Sequence, residues 1–194
     1  MMKFEFKPDA LLPEVIHVRP RRFGDARGWF AETFRADAFA EAGIPGPFVQ
    51  DNHSLSAEAG TIRGLHYQAA PHAQGKLVRC VKGRILDVAV DIRRQSPRFG
   101  MAMSVELSAE RGEQLFIPRG FAHGFCTLQA DTEVIYKTDA YYAPDHDRGI
   151  AHDDPQIGID WPVPPSERTL SDKDRQLPRL AGIVELADAD EGGR

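Results

Sequence analysis

Cysteine is almost absent from this chain: Cys80 and Cys126 are the only two in 194 residues. They stand far apart in strand-like runs, which reads as two buried, reduced thiols in a cytoplasmic protein and excludes a disulfide-stapled secreted scaffold. No stretch approaches the roughly 18 consecutive apolar residues of a membrane-crossing helix. The opening "MMKFEFKPDALLPEV" has neither an apolar h-region nor a small-residue cleavage site, so no secretory signal is expected. Basic charge is also short: 24 Lys and Arg against 29 Asp and Glu leave a net charge of −5, with no basic stripe to follow a nucleic acid. There is no Gly-rich dinucleotide fingerprint. The histidines are scattered; His66 and His72 have five residues between them, Pro71 included, and cannot both face inward on one straight strand. No glutamate follows at a ligand-like position, so no metal centre is expected.

Helix signals are few as well. One is "RADAFAEAG" (35–43), with Asp37 as the expected cap and Gly43 as the stop. The others lie near the C-terminus, around "SDKDRQLPRL" and "IVELADAD". Between them the chain reads as strand and turn. "KLVRCVKGRILDVAVDI" (76–92) gives two alternating runs joined at Lys82-Gly83, the signal of a hairpin. In the second run Leu86, Val88, Val90 and Ile92 share one face, and Ile85, Asp87, Ala89 and Asp91 the other. Further strands follow in "MAMSVELS", "EQLFIP", "GFAHGFCTL" and "TEVIYKTDAYY". Short strands broken by Gly and Pro make an all-β sandwich or barrel. A barrel of this size can hold one small ligand, so chemistry belongs on inward strand faces.

The unusual polar residues on those strands are Arg63 and His66, Lys76 and Asp87, His123, and Tyr136; "LSDKD" (170–174) comes late. Taken singly, each has a structural explanation. His123 shares a face with Phe121 and Phe125 and fits a packed core histidine. Tyr136 fits a core aromatic with its hydroxyl at the rim, and Lys76 an exposed edge lysine. His66 fits either a satisfied core residue or a base working near neutral pH.

Eight ordered motifs shift that balance: "FGDARGWFAETF", "QDNHS", "IRGLHYQ", "QGKLVRCVKG", "IPRGFAHGF", "YKTDAYYAPDHDRGI", "IGIDWP" and "LSDKD". Together, from about residue 4 to residue 180, they resemble the dTDP-4-dehydrorhamnose 3,5-epimerase family. The resemblance implies a cupin-type jelly-roll β-barrel with a few short helices, mainly near the C-terminus. Residues 1–182 would form a single domain whose N-terminal strand contacts a partner subunit, and 183–194 an acidic, mobile tail. It implies cofactor-independent inversion at C3 and C5 beside the C4 ketone of dTDP-4-keto-6-deoxy-D-glucose. That reaction needs a base, a proton donor on the opposite ring face, and positive charge near the C4 oxygen.

Carried over residue by residue, the resemblance makes His66 the base, Asp174 its carboxylate partner, Tyr136 the proton donor and Lys76 the group beside the keto oxygen. Asp172, two places before Asp174, is read as a solvated or capping residue. Arg63 falls at a phosphate-contacting position, and Arg27, Glu32, Gln50 and Asn52 at nucleotide- and sugar-contacting ones. Tyr142 matches the aromatic that stacks on thymine; His123, Asp147 and Lys173 match further substrate contacts. Asp147 stands where the family often has Glu, which implies a looser or water-mediated contact. Arg27 and Glu32 would serve the site of a partner in an obligate homodimer. Strand pairing adds an expectation that Asp87 holds Lys76. Ala151 and His152, where Arg and Trp are common, read as surface positions. An epimerase acting at C3 alone, and a non-catalytic nucleotide-sugar-binding cupin, remain the rival readings.

Strict alternation puts Arg63 and His66, three apart, on opposite faces, although both are needed at one substrate. Gly64 between them marks the place where a β-bulge would restore the phase.

Overall fold

The computed structural model describes residues 3–183. The strands are β1 (Phe4–Pro8), β2 (Ile16–Pro20), β3 (Arg22–Asp25), β4 (Gly28–Ala31), β5 (Gln50–Ser56), β6 (Ile62–Gln68), β7 (Lys76–Lys82), β8 (Arg84–Asp91), β9 (Ala102–Ser108), β10 (Gln114–Ile117), β11 (Phe121–Thr127), β12 (Thr132–Thr138) and β13 (Asp147–Gly149). Two short helices join them, α1 (Ala36–Glu41) and α2 (Asp172–Arg175). The strands form two antiparallel sheets, β1-β2-β10-β7-β12-β5 and β13-β6-β11-β8-β9, and a separate ribbon β3-β4. This is a jelly-roll barrel, all-β as the alternation implies.

Three apolar layers follow from the period-two pattern. The inner faces of the two sheets enclose Val78, Cys80, Ile85, Ala89, Leu115, Ile117, Phe121, Phe125 and Val134, with Leu12 and Val15 closing one end. Outside the smaller sheet, Ile62, Leu65, Tyr67, Val88, Val90 and Ile92 are covered by Ile150, Trp161 and Leu180 from the C-terminal segment. Outside the larger sheet, α1 lays Phe39 on Phe4, Ile16, Val18, Leu77 and Phe116. Strands buried on both faces explain why runs such as "ILDVAV" are apolar nearly throughout.

Several sequence expectations are corrected here. Lys82-Gly83 is not a hairpin turn: β7 lies between β10 and β12 in the larger sheet, and β8 between β11 and β9 in the smaller. Gly83, at φ +80°, carries the chain from one sheet to the other, packed so closely on Thr132 that a Cβ would sit 2.3 Å from its hydroxyl. A local sequence cannot separate this corner from a tight hairpin, because both need glycine at positive φ. Asp37 does not cap α1; Arg35 is the N-cap, and the Asp37 carboxylate accepts from the Ala38 amide within the first turn. Gly43, at φ +82°, does follow the helix end. Ser171 caps α2, accepting from the Asp174 amide at 3.1 Å, and Asp172 is exposed, the solvated alternative of its reading. Ala151 and His152 are half-buried rather than superficial, and the His152 carbonyl accepts from the Trp161 indole at 2.7 Å. The two cysteines are buried free thiols, pushed up to about 11 by burial. Most of "IVELADAD" and the tail lies outside the described residues. No helix among the described residues is long and apolar enough to cross a membrane.

Candidate active site

The inner faces of β6, β7, β11 and β12 turn polar toward one mouth of the barrel. A cavity of about 520 Å³ there is lined by Arg63, His66, Lys76, His123, Tyr136, Lys173 and Asp174, among others. It adjoins a second space of about 330 Å³, lined by Gln50, Asn52, Tyr142 and Asp147 and sharing His66, Lys76 and Tyr136. Each is within the size range of small-molecule pockets.

Gly64 does what the spacing of Arg63 and His66 demands. Opposite β11, His66 pairs with His123 and Arg63 with Phe125, so three steps on β6 match two on β11. The extra residue is absorbed at Gly64, at φ +130°, where a Cβ would lie 2.5 Å from the Gly124 Cα. Ile62, Leu65 and Tyr67 therefore face the outer core while Arg63 and His66 both line the cavity. This is a β-bulge in function: it re-aims a side chain next to a site.

His66 Nε2 lies 2.5 Å from Asp174 Oδ1. Asp174 is delivered by the Ser171-capped turn of α2, whose cap fixes the carboxylate's backbone. Burial alone would raise the Asp174 carboxyl; the hydrogen bond and charge of His66, with help from Ser171 and Lys173, outweigh it and hold the group below the usual aspartate range. Asp174 thus stays ionised at neutral pH. It favours a proton on the facing ring nitrogen and leaves the lone pair on the other.

His123 is buried, and its Nε2 sits 2.7 Å from Asp87 Oδ1. Burial pushes the His123 imidazole down, against the pull of Asp87. The expectation that Asp87 holds Lys76 is corrected. With β7 and β8 in different sheets, Asp87 pairs opposite Phe125 and reaches diagonally to His123. Lys76 instead donates to the His66 carbonyl at 3.3 Å. Lys76 is 8% exposed, not an edge lysine. Burial lowers its ammonium to about 8, with the charges of Asp147 and Asp87 acting the other way. Asp87 Oδ2 is buried with no hydrogen-bond partner. Tyr136 is raised by burial, partly offset by Arg63, so its hydroxyl is protonated throughout the neutral range.

The mouth carries a second cluster. Asp147 Oδ2 accepts from the Tyr142 hydroxyl at 2.9 Å and from Lys173 at 2.5 Å. Gln50 accepts from the Tyr142 amide and donates to Asn52, both at 3.0 Å. The Tyr142 ring is left 55% exposed, open to stacking. Arg63 donates to Ser56 Oγ and the Leu55 carbonyl, which brace its guanidinium. Gln68, Gln74 and Ser54 also line these spaces and were not singled out from sequence. Gln68 was legible in principle: two residues after His66, it shares that inward face. It ties the Ala143 amide to the His72 and Tyr141 carbonyls.

Arg27 and Glu32 are not brought to this cavity within the chain. Arg27 sits at the exposed turn of the ribbon, paired with Asp25 at 2.6 Å, and Glu32 pairs with Lys3 at 2.5 Å. Among the described residues no cluster of three or more His, Cys, Asp or Glu side chains is arranged to hold a metal ion.

Comparison with known proteins agrees with this arrangement. The dTDP-4-dehydrorhamnose 3,5-epimerase family profile matches residues 9–182. A dTDP-4-dehydrorhamnose 3,5-epimerase of Sinorhizobium fredii is 54% identical over 172 residues, covering 89% of this chain and 88% of its own. The dTDP-6-deoxy-D-glucose-3,5-epimerase of Legionella pneumophila, solved with dTDP-4-keto-L-rhamnose, superposes with a TM-score of 0.88 at 43% identity, covering 93% of this chain and 95% of that one. ChmJ, a 3'-monoepimerase from Streptomyces bikiniensis solved with dTDP-quinovose, superposes with a TM-score of 0.83 at 35% identity, covering 90% and 87%. A barrel cavity built around a His-Asp pair, a tyrosine and a buried lysine, matched over nearly the whole chain by proteins of one kind, places this chain in the dTDP-4-dehydrorhamnose 3,5-epimerase family, a family of isomerases.

Proposed function

We propose that the chain epimerises dTDP-4-keto-6-deoxy-D-glucose at C3 and C5, the reaction for which its relatives in rhamnose biosynthesis are named. The observation that carries the chemistry is the His66–Asp174 pair at 2.5 Å, set in one cavity with Tyr136 and Lys76. His66 takes the proton from the carbon beside the ketone, and Asp174 stabilises the imidazolium that forms. The electron pair left on carbon delocalises onto the C4 oxygen, where the Lys76 ammonium meets the developing charge. Tyr136 returns a proton from the other ring face, giving the inverted centre. The same steps serve C3 and C5, because both flank the one ketone. No redox change occurs, and the proton count balances within the protein and solvent.

Arg63 binds the diphosphate, to which a guanidinium is matched in charge and shape. Tyr142 stacks on the thymine, with Gln50, Asn52, Asp147, Lys173 and His123 as further contacts. Identity to relatives named 3,5-epimerases runs from 38% to 54%, against 34–35% for the 3'-monoepimerase, which favours action at both carbons.

The active species is read as a homodimer. The ribbon leaves Phe23, Trp29 and Phe30 exposed at 39%, 59% and 71%, an apolar surface of the kind a second copy would cover. Arg27 and Glu32 then lie on a segment able to reach the partner's site; a sedimentation mass of one chain would exclude this. The two buried thiols accord with a cytoplasmic location.

Replacing His66 with Ala tests the assignment. Turnover should disappear, while dTDP affinity changes by less than about three-fold because the nucleotide contacts remain. Near-full turnover in His66→Ala would overturn it.

A further inference from the structure

Lys76 is the first residue of β7, and strand ends fray. A lysine that must meet one oxygen needs its backbone fixed as well as its side chain. On either side Lys76 is paired, with Ile117 of β10 and with Thr138 of β12. The chain leaving β10 places Arg119 two residues beyond Ile117, and the chain leaving β12 places Asp139 one residue beyond Thr138. These two side chains meet across the start of β7. Asp139 Oδ1 accepts from the Gly75 amide at 2.7 Å, and Oδ2 accepts from Arg119 Nε at 3.0 Å. The Asp139 amide in turn donates to the Gly75 carbonyl at 3.2 Å. The Asp139 side chain is 8% exposed and that of Arg119 38%, so the carboxylate is buried in the clamp while the guanidinium closes it from the solvent side. Gly75 leaves room for it: a Cβ there would sit 2.9 Å from Asp139 Oδ2.

We propose that Asp139 and Arg119 act as a clamp that positions Lys76 for turnover, holding the residue before it in three-way contact with the ends of β10 and β12. The proposal rests on the reading of Lys76 as the group that meets the C4 oxygen. It gives a use to the arginine of "IPRGFAHGF" and the glycine of "QGKLVRC", neither of which touches the cavity described above. Both clamp residues are positioning residues, acting through Lys76. Asp139 fixes the peptide, and Arg119 fixes Asp139. A displacement of about 1 Å at a catalytic group costs on the order of 100-fold in rate.

The test compares Asp139→Ala, Asp139→Asn and Gly75→Ala, with Asp139→Ala also made in a Lys76→Met background. Steady-state kcat and KM and dTDP affinity are measured for each. Asp139→Ala should lower kcat about 10- to 100-fold with KM within about three-fold. Gly75→Ala, which keeps both charged groups and only pushes the carboxylate aside, should show the same split and covers the case in which Asp139→Ala fails to fold. Asp139→Asn keeps an acceptor for the Gly75 amide but loses the one for Arg119 Nε, so its kcat should fall between those of Asp139→Ala and the native enzyme; kcat no higher than in Asp139→Ala would overturn the role of the Gly75 contact. In the Lys76→Met background, Asp139→Ala should cost less than about two-fold more, because the group being positioned is gone. An equal loss in both backgrounds, or unchanged kcat in Asp139→Ala and Gly75→Ala, would overturn the clamp. Full turnover in Lys76→Met alone would instead overturn the reading of Lys76.

Discussion

Replacing Lys76 with Met removes one charge and little volume. Lys76 is 8% exposed and faces the cavity, and burial already lowers its ammonium to about 8. An ammonium about 3 Å from a full negative charge, at an effective dielectric of about 20, interacts by roughly 5 kcal/mol. Only part of this is differential, because the ketone oxygen already carries partial charge. Removal of a single oxyanion-stabilising donor costs about 3–4 kcal/mol, or 10²- to 10³-fold in kcat. Lys76→Met should therefore lose about 10²- to 10³-fold in kcat while KM moves by less than about three-fold. The assay is loss of the C3 and C5 proton signals in heavy water, followed by NMR.

The pH profile supplies a second readout. The ammonium is the working form, present below its pKa and lost above it, so wild-type kcat/KM should fall as pH rises through about 8. The Tyr136 hydroxyl is raised and stays protonated through that range, so it does not produce this limb. Residual activity in Lys76→Met should lack it. Retention of more than a tenth of wild-type kcat, or a pH limb unchanged in the variant, would refute the placing of Lys76 at the enolate.

Other substitutions probe the remaining parts. Tyr136→Phe keeps the ring and removes the proton donor; exchange of substrate protons with solvent should continue while inverted product falls about 100-fold or more, and inversion at the wild-type rate would remove Tyr136 from that role. Gly64→Ala puts a Cβ 2.5 Å from the Gly124 backbone at φ +130°. It should destabilise the fold by roughly 3 kcal/mol, lowering Tm by about 6–12 °C. An unchanged Tm would mean that the β6–β11 bulge tolerates a side chain.

Much of this architecture could be read from residue order. Alternation put Phe121, His123 and Phe125 on one face and Val134 and Tyr136 on another, and both sets point inward. The conflict between Arg63 and His66 located a bulge at Gly64, because a period of two leaves no other way to bring both to one cavity. What alternation cannot show is which strand lies beside which. Lys82-Gly83 looked like a hairpin and is a corner between sheets, and the false neighbour carried Asp87 to Lys76 instead of to His123. One cap was also misplaced: Asp37 is a good capping residue type, but α1 begins at Ala36 with Arg35 at the cap, and Asp37 falls inside its first turn. Arg27 and Glu32 lie outside the cavity: within the chain they pair with Asp25 and Lys3.

Inversion of two carbons at one site is checked by incubating wild-type enzyme with dTDP-4-keto-6-deoxy-D-glucose in heavy water and locating deuterium in the recovered sugar. Label at both C3 and C5 is the expected result. Label confined to C3 would contradict the double epimerisation, and no label at either carbon would contradict proton abstraction by His66 altogether.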